Sequence, residues 1–438
     1  ESLLNYNAAN GKSEADYVPT NNGTLVDQGI SPTNSVSTGT SSSDTLDDLV
    51  PHTNVGSAAD IGAFEYGATT WSAGIDWTPK FHTTIWKTNA STTDWNTASN
   101  WSTGSVPTAD VNVMIPVQQS GASNYPIISN SGAVAKNVTV NSSATLTINR
   151  DSDLTLSGNL VNRGTVNLNS DKDEYSSIII QGSSTGNIVY KRHVADVGDD
   201  EWDYIGSPVA GQNLQTLIDN NSSLATGGAG NSQVAIGVFD NGAGADTAAT
   251  MYTNYSITGN SGVTITSGQG FVMATDDGST TATVDFTGTV NTSNVTFAID
   301  DETSSNTNYG KFNLVANPFP SYIAFNAAAV SSSSATEAFL TVNATSNDNL
   351  HNSYAGLWGY DGDGSFTEYN STSAGAIYIA PGQGFFVAAD ANANLSFTEA
   401  MQTTTGGDDF NSTDDVLNGT HEVLLRLYHG EEMIEDAR

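Results

Sequence analysis

The sequence predicts an all-β, multidomain chain built from a small β-solenoid and two tandem, duplicated β-sandwich modules of jelly-roll type. The first observation is that the C-terminal half says the same thing twice. Ile205-Gly206-Ser207-Pro208, Gly237-Val238-Phe239-Asp240-Asn241-Gly242 and Ser267-Gly268-Gln269-Gly270-Phe271-Val272 recur, in order, as Val315-Ala316-Asn317-Pro318, Trp358-Gly359-Tyr360-Asp361-Gly362 and Pro381-Gly382-Gln383-Gly384-Phe385-Phe386-Val387. Landmarks that keep their order while their spacing drifts by a loop's length describe a duplicated module. The second observation is a run of short alternating strands with turns at near-regular intervals between residues 133 and 193. Composition is the third. Apolar residues are 37 % and charged residues 13 % of 438, so Ser, Thr, Asn and Gly fill the gap. That balance suits exposed sheet faces, and argues against both charge-rich disorder and a helical protein. The length suits roughly three or four domains.

Charge narrows the partners. Twelve Lys plus Arg stand against 47 Asp plus Glu, a net −35. Nucleic acid is excluded, because no basic patch exists to displace counterions from phosphate. Anionic membrane surfaces are disfavoured for the same reason. Cysteine is absent, so disulfides play no part in stability. No apolar run approaches the length of a membrane span. The chain starts at Glu1 without an initiator Met or signal peptide, and the expectation is that it is processed or part of a longer protein.

Residues 1–66 lack apolar periodicity and cannot fold alone. Their Val26-Asp27-Gln28-Gly29 turn and closing Asp60-Ile61-Gly62-Ala63-Phe64-Glu65-Tyr66 resemble the end of right-handed parallel β-helix proteins secreted by bacteria. The resemblance implies a β-helix tail whose earlier rungs precede Glu1.

Residues 67–195 are expected to form a Trp-rich cap followed by the solenoid. Five of the seven Trp lie in the cap, among them Trp86, Trp95 and Trp101. Asn100-Trp101-Ser102, Val106-Pro107 and Ile115-Pro116 are similar to a module of Bacteroidetes surface proteins. The indoles either pack the open end of a sheet or, if exposed, stack on sugar rings, which would make Trp86, Trp95 and Trp101 a glycan site. Val138–Val140, Ala144–Ile148, Leu154–Leu156, Val166–Leu168, Ile178–Ile180 and Ile188–Tyr190 are the expected solenoid strands. One strand and one turn per unit favours a solenoid over a sandwich here.

The duplicated modules are placed at 196–305 and 306–405. Pro208 with Gly268 and Gly270 anchors the first, and Pro318 and Pro320 with Gly382 and Gly384 anchors the second. Gly-Gln-Gly-Phe is not a phosphate loop: no Lys-Ser/Thr follows and the next residues read as strand. Glycine at a strand entry instead predicts a positive-φ turn or bulge. Each module also holds a short helical segment, Leu214–Ile218 and Phe325–Val330. Asn317-Pro318-Phe319-Pro320 together with Pro381 to Val387 resembles paired segments just ahead of the C-terminal sorting domain of type IX secretion system cargo. The resemblance implies export to the outside or outer surface of a Gram-negative, Bacteroidetes-like cell. The implied partners are the outer-membrane translocon and its shuttle or attachment barrel protein. Residues 406–438 then read as a linker and a first strand leading to that sorting domain.

Chemistry is sparse. Asp361, Asp363 and Ser365 alternate oxygen ligands as the start of a Ca²⁺ loop does, but Thr372 stands where the loop needs its closing acid. The competing expectation is a plain hairpin turn, and no cofactor besides Ca²⁺ is expected. The six histidines show no metal spacing. Visible carboxylate pairs lie in polar turns, where nothing raises an acid's pKa. The expected role is therefore non-enzymatic: adhesion, display or spacing. Its rivals are an accessory region of a polysaccharide-degrading enzyme whose catalytic β-helix lies upstream, and carbohydrate binding at the Trp-rich segment.

Overall fold

Alternating apolar residues wind the N-terminal part of the described chain into a parallel solenoid of about 3 turns. The computed structural model describes residues 83–118, 124–197, 202–243, 251–276, 283–361, 365–410, 425–429 and 432–437. The expected β-helix tail at 1–66 lies outside them. The solenoid opens with β1 (Thr83–Ile85), β2 (Asn112–Ile115), β3 (Ile127–Ile128) and β4 (Ala133–Ala135). It continues through β5 (Val138–Val140), β6 (Thr145–Ile148) and β7 (Asp153–Leu156), then β8 (Leu160–Asn162), β9 (Thr165–Asn169) and β10 (Ser177–Ile180). β11 (Ser184–Thr185) and β12 (Ile188–His193) close it. Three faces result: β1-β2-β5-β8-β11, β3-β6-β9-β12 and β4-β7-β10. In register, Leu146 stacks on Val166 and Ile148 on Leu168, all buried inside the coil. Polar corners repeat as well: Asn137 donates to Asn112 and accepts from the Asn159 N–H, whose own side chain accepts from Ser183.

The cap is a knot of three indoles. Trp101 meets Trp86 edge to face at 4.9 Å and Trp95 at 4.7 Å. Its Nε1 donates to the Trp95 carbonyl and that of Trp86 donates to the Asn124 carbonyl, both at 2.7 Å. Buried Asn100 fixes the turn, its Nδ2 donating to the Thr92 and Asp94 carbonyls.

The first copy comprises β13 (Asp203–Gly206), α1 (Leu214–Asn220), β14 (Thr226–Gly227), β15 (Gln233–Phe239), β16 (Tyr252–Ser256), β17 (Gly270–Met273) and β18 (Thr283–Gly288). The second runs through β19 (Val295–Ile299), β20 (Phe312–Ala316), β21 (Tyr322–Ala324), α2 (Ala327–Ser331), β22 (Gly356–Tyr360) and β23 (Phe366–Asn370). It ends with β24 (Tyr378–Ile379), β25 (Gly384–Ala388), β26 (Ala393–Phe397) and β27 (Gln402–Thr403). The main sheets run β13-β17-β15-β14, with β16 also on β15, and β20-β25-β22-β23. Their pairings repeat landmark for landmark. Gly206 faces Gly270 as Ala316 faces Gly384, and Gly237 faces Val272 as Trp358 faces Phe386. Both short helices are capped alike, by Asn213 accepting from the Thr216 N–H and Asn326 from the Ala329 N–H.

Two module edges differ from the sequence expectation. β12 pairs with β9 on one side and with β18 on the other, and one apolar core runs from Trp86 through to Val290. Solenoid and first copy are therefore not separated at residue 195. β19 lies before the expected break at 305, yet it pairs with β26 of the second copy. β12 and β18 thus hold in the first copy the places of β19 and β26 in the second. A long-range pairing of this kind leaves no local mark in the chain. The second copy keeps its own core, rich in Phe, around Phe319, Phe325, Phe339, Phe385 and Phe397. Beyond it, β28 (Leu425–His429) and β29 (Glu432–Ala437) form a hairpin; β28 overlaps the strand that the sequence predicts from Val423 to Tyr428.

One buried ion pair ties the parts together. Arg192 of β12 is fully buried, and its Nη2 donates to Asp409 at 2.6 Å. Its Nε donates to the Pro381 carbonyl, and the guanidinium lies 4.3 Å from the Tyr175 ring centroid.

Candidate functional site: an aromatic trough

Period-2 alternation gives the two main sheets opposite faces with an unusual property: both are apolar. Ile205, Phe271, Val315, Leu357 and Phe385 point into the cores. Their neighbours Tyr204, Val272, Leu314, Trp358 and Phe386 point the other way and form a separate cluster. An ordinary antiparallel sheet turns a polar face outward. Here the outward face is aromatic, and it bounds a trough of about 470 Å³, a ligand-sized volume.

Both copies build the trough. Tyr204, Phe239, Met251 and Tyr252 come from the first, and Tyr309, Phe312, Trp358, Tyr360, Phe366 and Phe386 from the second. Tyr204 and Phe386 form its floor, 8 % and 7 % exposed; Tyr309 and Phe366 form its rim, 43 % and 42 % exposed. The inner rings meet at steep angles. Tyr204 meets Tyr360 at 4.9 Å and 64°, and Phe386 at 5.4 Å and 79°; Phe239 meets Phe386 at 4.8 Å and 77°. The Tyr204 and Tyr252 hydroxyls bond one another at 2.8 Å. Burial pushes both phenols up, Tyr252 to about 12, so they stay neutral at physiological pH.

A carboxylate borders the aromatics. Glu368 stands opposite Trp358 in the β22–β23 register, which places both side chains on one face of the sheet. At the margin, Lys311 Nζ sits 5.1 Å from the centroid of Tyr354, a ring near Trp358.

The sequence-predicted sites fare differently. Trp86, Trp95 and Trp101 are each 0 % exposed. A sugar needs an open ring face, so the glycan expectation at these residues is corrected: the indoles are packing. Asp361 accepts from the Ser365 and Thr367 hydroxyls across a hairpin turn, while Asp363 lies outside the described residues. Among the described residues no cluster of three or more His, Cys, Asp or Glu is placed to hold a metal.

The glycine motifs serve the contact between the copies. Gly268 and Gly382 have φ of +92° and +65°, the positive-φ turns that the sequence predicts. A Cβ on Gly384 would lie 2.6 Å from the Tyr204 carbonyl carbon, and one on Gly270 2.7 Å from Leu314 Cγ. Pro208 packs beside Gly382, and the Pro320 carbonyl accepts from the Ile178 N–H of β10. Asn317 beside Pro318 is buried and donates to the Ser321 and Ala380 carbonyls.

No single stretch of sequence points to the trough, since its walls come from two modules. The available signal was the outward residues of Trp358-Gly359-Tyr360 and of Phe385-Phe386, aromatic where a solvated face would be polar.

Solenoid, paired copies and trough define a multi-module all-β protein with an aromatic recess at the junction of its duplicated units. Among the described residues no helix is long and apolar enough to cross a membrane. The family model described as a domain of unknown function, DUF8693, matches residues 85–427, and the chain belongs to that family. No curated protein and no solved structure matches it.

Proposed function

We propose that the chain is a non-enzymatic binding and display region of a secreted or cell-surface protein, and that the aromatic trough is its recognition surface. The observation that carries this reading is the trough itself: nine aromatic side chains and one Met line it. Open apolar surface of this kind, held on rigid strands, is a binding feature rather than a packing one. The lining offers no nucleophile beside a base, which supports recognition over catalysis. The solenoid acts as a stiff spacer. Export as type IX cargo is supported by the likeness of the segments at 317–320 and 381–387, with the translocon and its attachment barrel as partners.

The test uses the native host. The full-length protein should reach the cell surface only when the type IX translocon is intact. Cells displaying a Tyr309→Ala/Phe366→Ala variant should attach to their substratum less well than wild type at equal surface abundance. Equal attachment would remove the trough from the function, and surface delivery without the translocon would remove the export route.

A further inference from the structure

We propose that the trough recognises a small organic cation bearing a quaternary ammonium group. This rests on the trough being the recognition surface. The ring geometry argues first. Tyr204, Tyr360, Phe239 and Phe386 meet at 64–79° and only Phe366 lies near-parallel to Tyr204, so the rings do not make one flat platform. A cation is attracted to every ring face it meets, whereas a sugar is best served by one flat platform and many hydrogen-bonding groups. On the trough wall the Tyr204 and Tyr252 hydroxyls are already engaged with one another.

Charge complementarity argues second. None of the lining side chains is charged, while the exposed carboxylate of Glu368 shares a sheet face with Trp358. The whole chain carries −35, a field that draws cations toward it. The same aromatic surface already holds one ammonium at its margin, that of Lys311 above Tyr354. A methylated ammonium is the form that suits the interior, since it gives up less hydration and fills apolar volume.

The experiment is titration of the full chain, by calorimetry and tryptophan fluorescence, with choline and with its neutral isostere 3,3-dimethylbutan-1-ol. Choline should bind saturably and roughly tenfold or more tightly than the isostere. Phe366→Ala should weaken both ligands, and Glu368→Gln should weaken choline alone. Both positions are exposed, so a thermal melt matching wild type shows that the fold is kept. Equal binding of the isostere, or no effect of Glu368→Gln on choline, overturns the cation and leaves a hydrophobic trough. Binding of neutral oligosaccharides in place of choline likewise overturns the cation while preserving the recognition surface. Silence toward choline, isostere and oligosaccharides alike would overturn the cation; loss of attachment by the Tyr309→Ala/Phe366→Ala cells would still uphold the recognition surface.

Discussion

The Gly206 N–H donates to the Gly382 carbonyl at 2.8 Å, and the duplicate pair repeats the bond in reverse, with the Ala316 N–H donating to the Gly268 carbonyl at 2.9 Å. Ile205 bridges Gln383 just as Val315 bridges Gln269. The two copies therefore meet through the same residues on both sides, the self-complementary contact of a two-fold dimer made within one chain. Each Gly-Gln-Gly segment is the surface that the other copy docks on. The trough lies where these sheets meet, so its shape depends on that contact.

Gly384→Ala should loosen the junction. The added Cβ would meet Tyr204 backbone at 2.6 Å, which no side-chain rotation relieves, and overpacking of this kind costs about 1–3 kcal/mol. The expected result is a lower melting temperature and faster limited proteolysis between the copies. Unchanged melting and proteolysis would show that the contact yields freely.

Asp409→Asn should be among the most damaging single changes. It leaves the Arg192 guanidinium buried against a neutral partner, and breaking a buried pair costs about 3–5 kcal/mol. Arg192→Met combined with Asp409→Leu should be milder than Asp409→Asn alone, because the buried guanidinium leaves together with its partner and only Asp203 loses a nearby cation. Urea titration of the three proteins decides it, and a double variant worse than the single one would mean that Arg192 acts mainly through Tyr175 and Pro381.

Trp101→Ala should open the cap. The ring is fully buried between Trp86 and Trp95, and losing it should cost roughly 3–5 kcal/mol. Hydrogen exchange should quicken in β1 and β2 first, with the second copy, which has its own core, unaffected. Uniform quickening along the chain would mean that the solenoid and both copies unfold as one unit.

Asp153→Asn should make the chain more stable near neutral pH. Burial raises the Asp153 carboxyl above its ordinary value; the Gly132 N–H opposes this and nearby Asp151 adds to it. A carboxyl raised on folding is most favourable below its unfolded pKa, and its contribution declines as pH rises through the folded value. The gain from Asn should therefore be full at about pH 7 and shrink as the pH falls toward the carboxylate range. Melting curves across that range test it. A gain independent of pH would assign the effect to packing.

The sequence by itself determined the class of this protein and the order of its parts. Strands such as those expected at Ala144–Ile148 and Ile188–Tyr190 are legible because side chains alternate with period two whatever surrounds them. The duplication is legible because matching landmarks survive drift in loop length, and the turns at Gly268 and Gly382 because a positive φ selects glycine locally. Even buried Arg192 has a signal, since it continues the inward series Ile188, Tyr190. Tertiary structure decided everything that joins distant segments: the pairing of β19 with β26, the shared core of solenoid and first copy, and Asp409 as the partner of Arg192. It also decided which aromatics are open. Trp101 and Trp358 are both indoles on a β scaffold, and nothing within a few residues of either says that one is sealed by neighbours and the other lines a trough. Exposure is a property of what the rest of the chain brings alongside, and here the second wall of the site comes from the other copy.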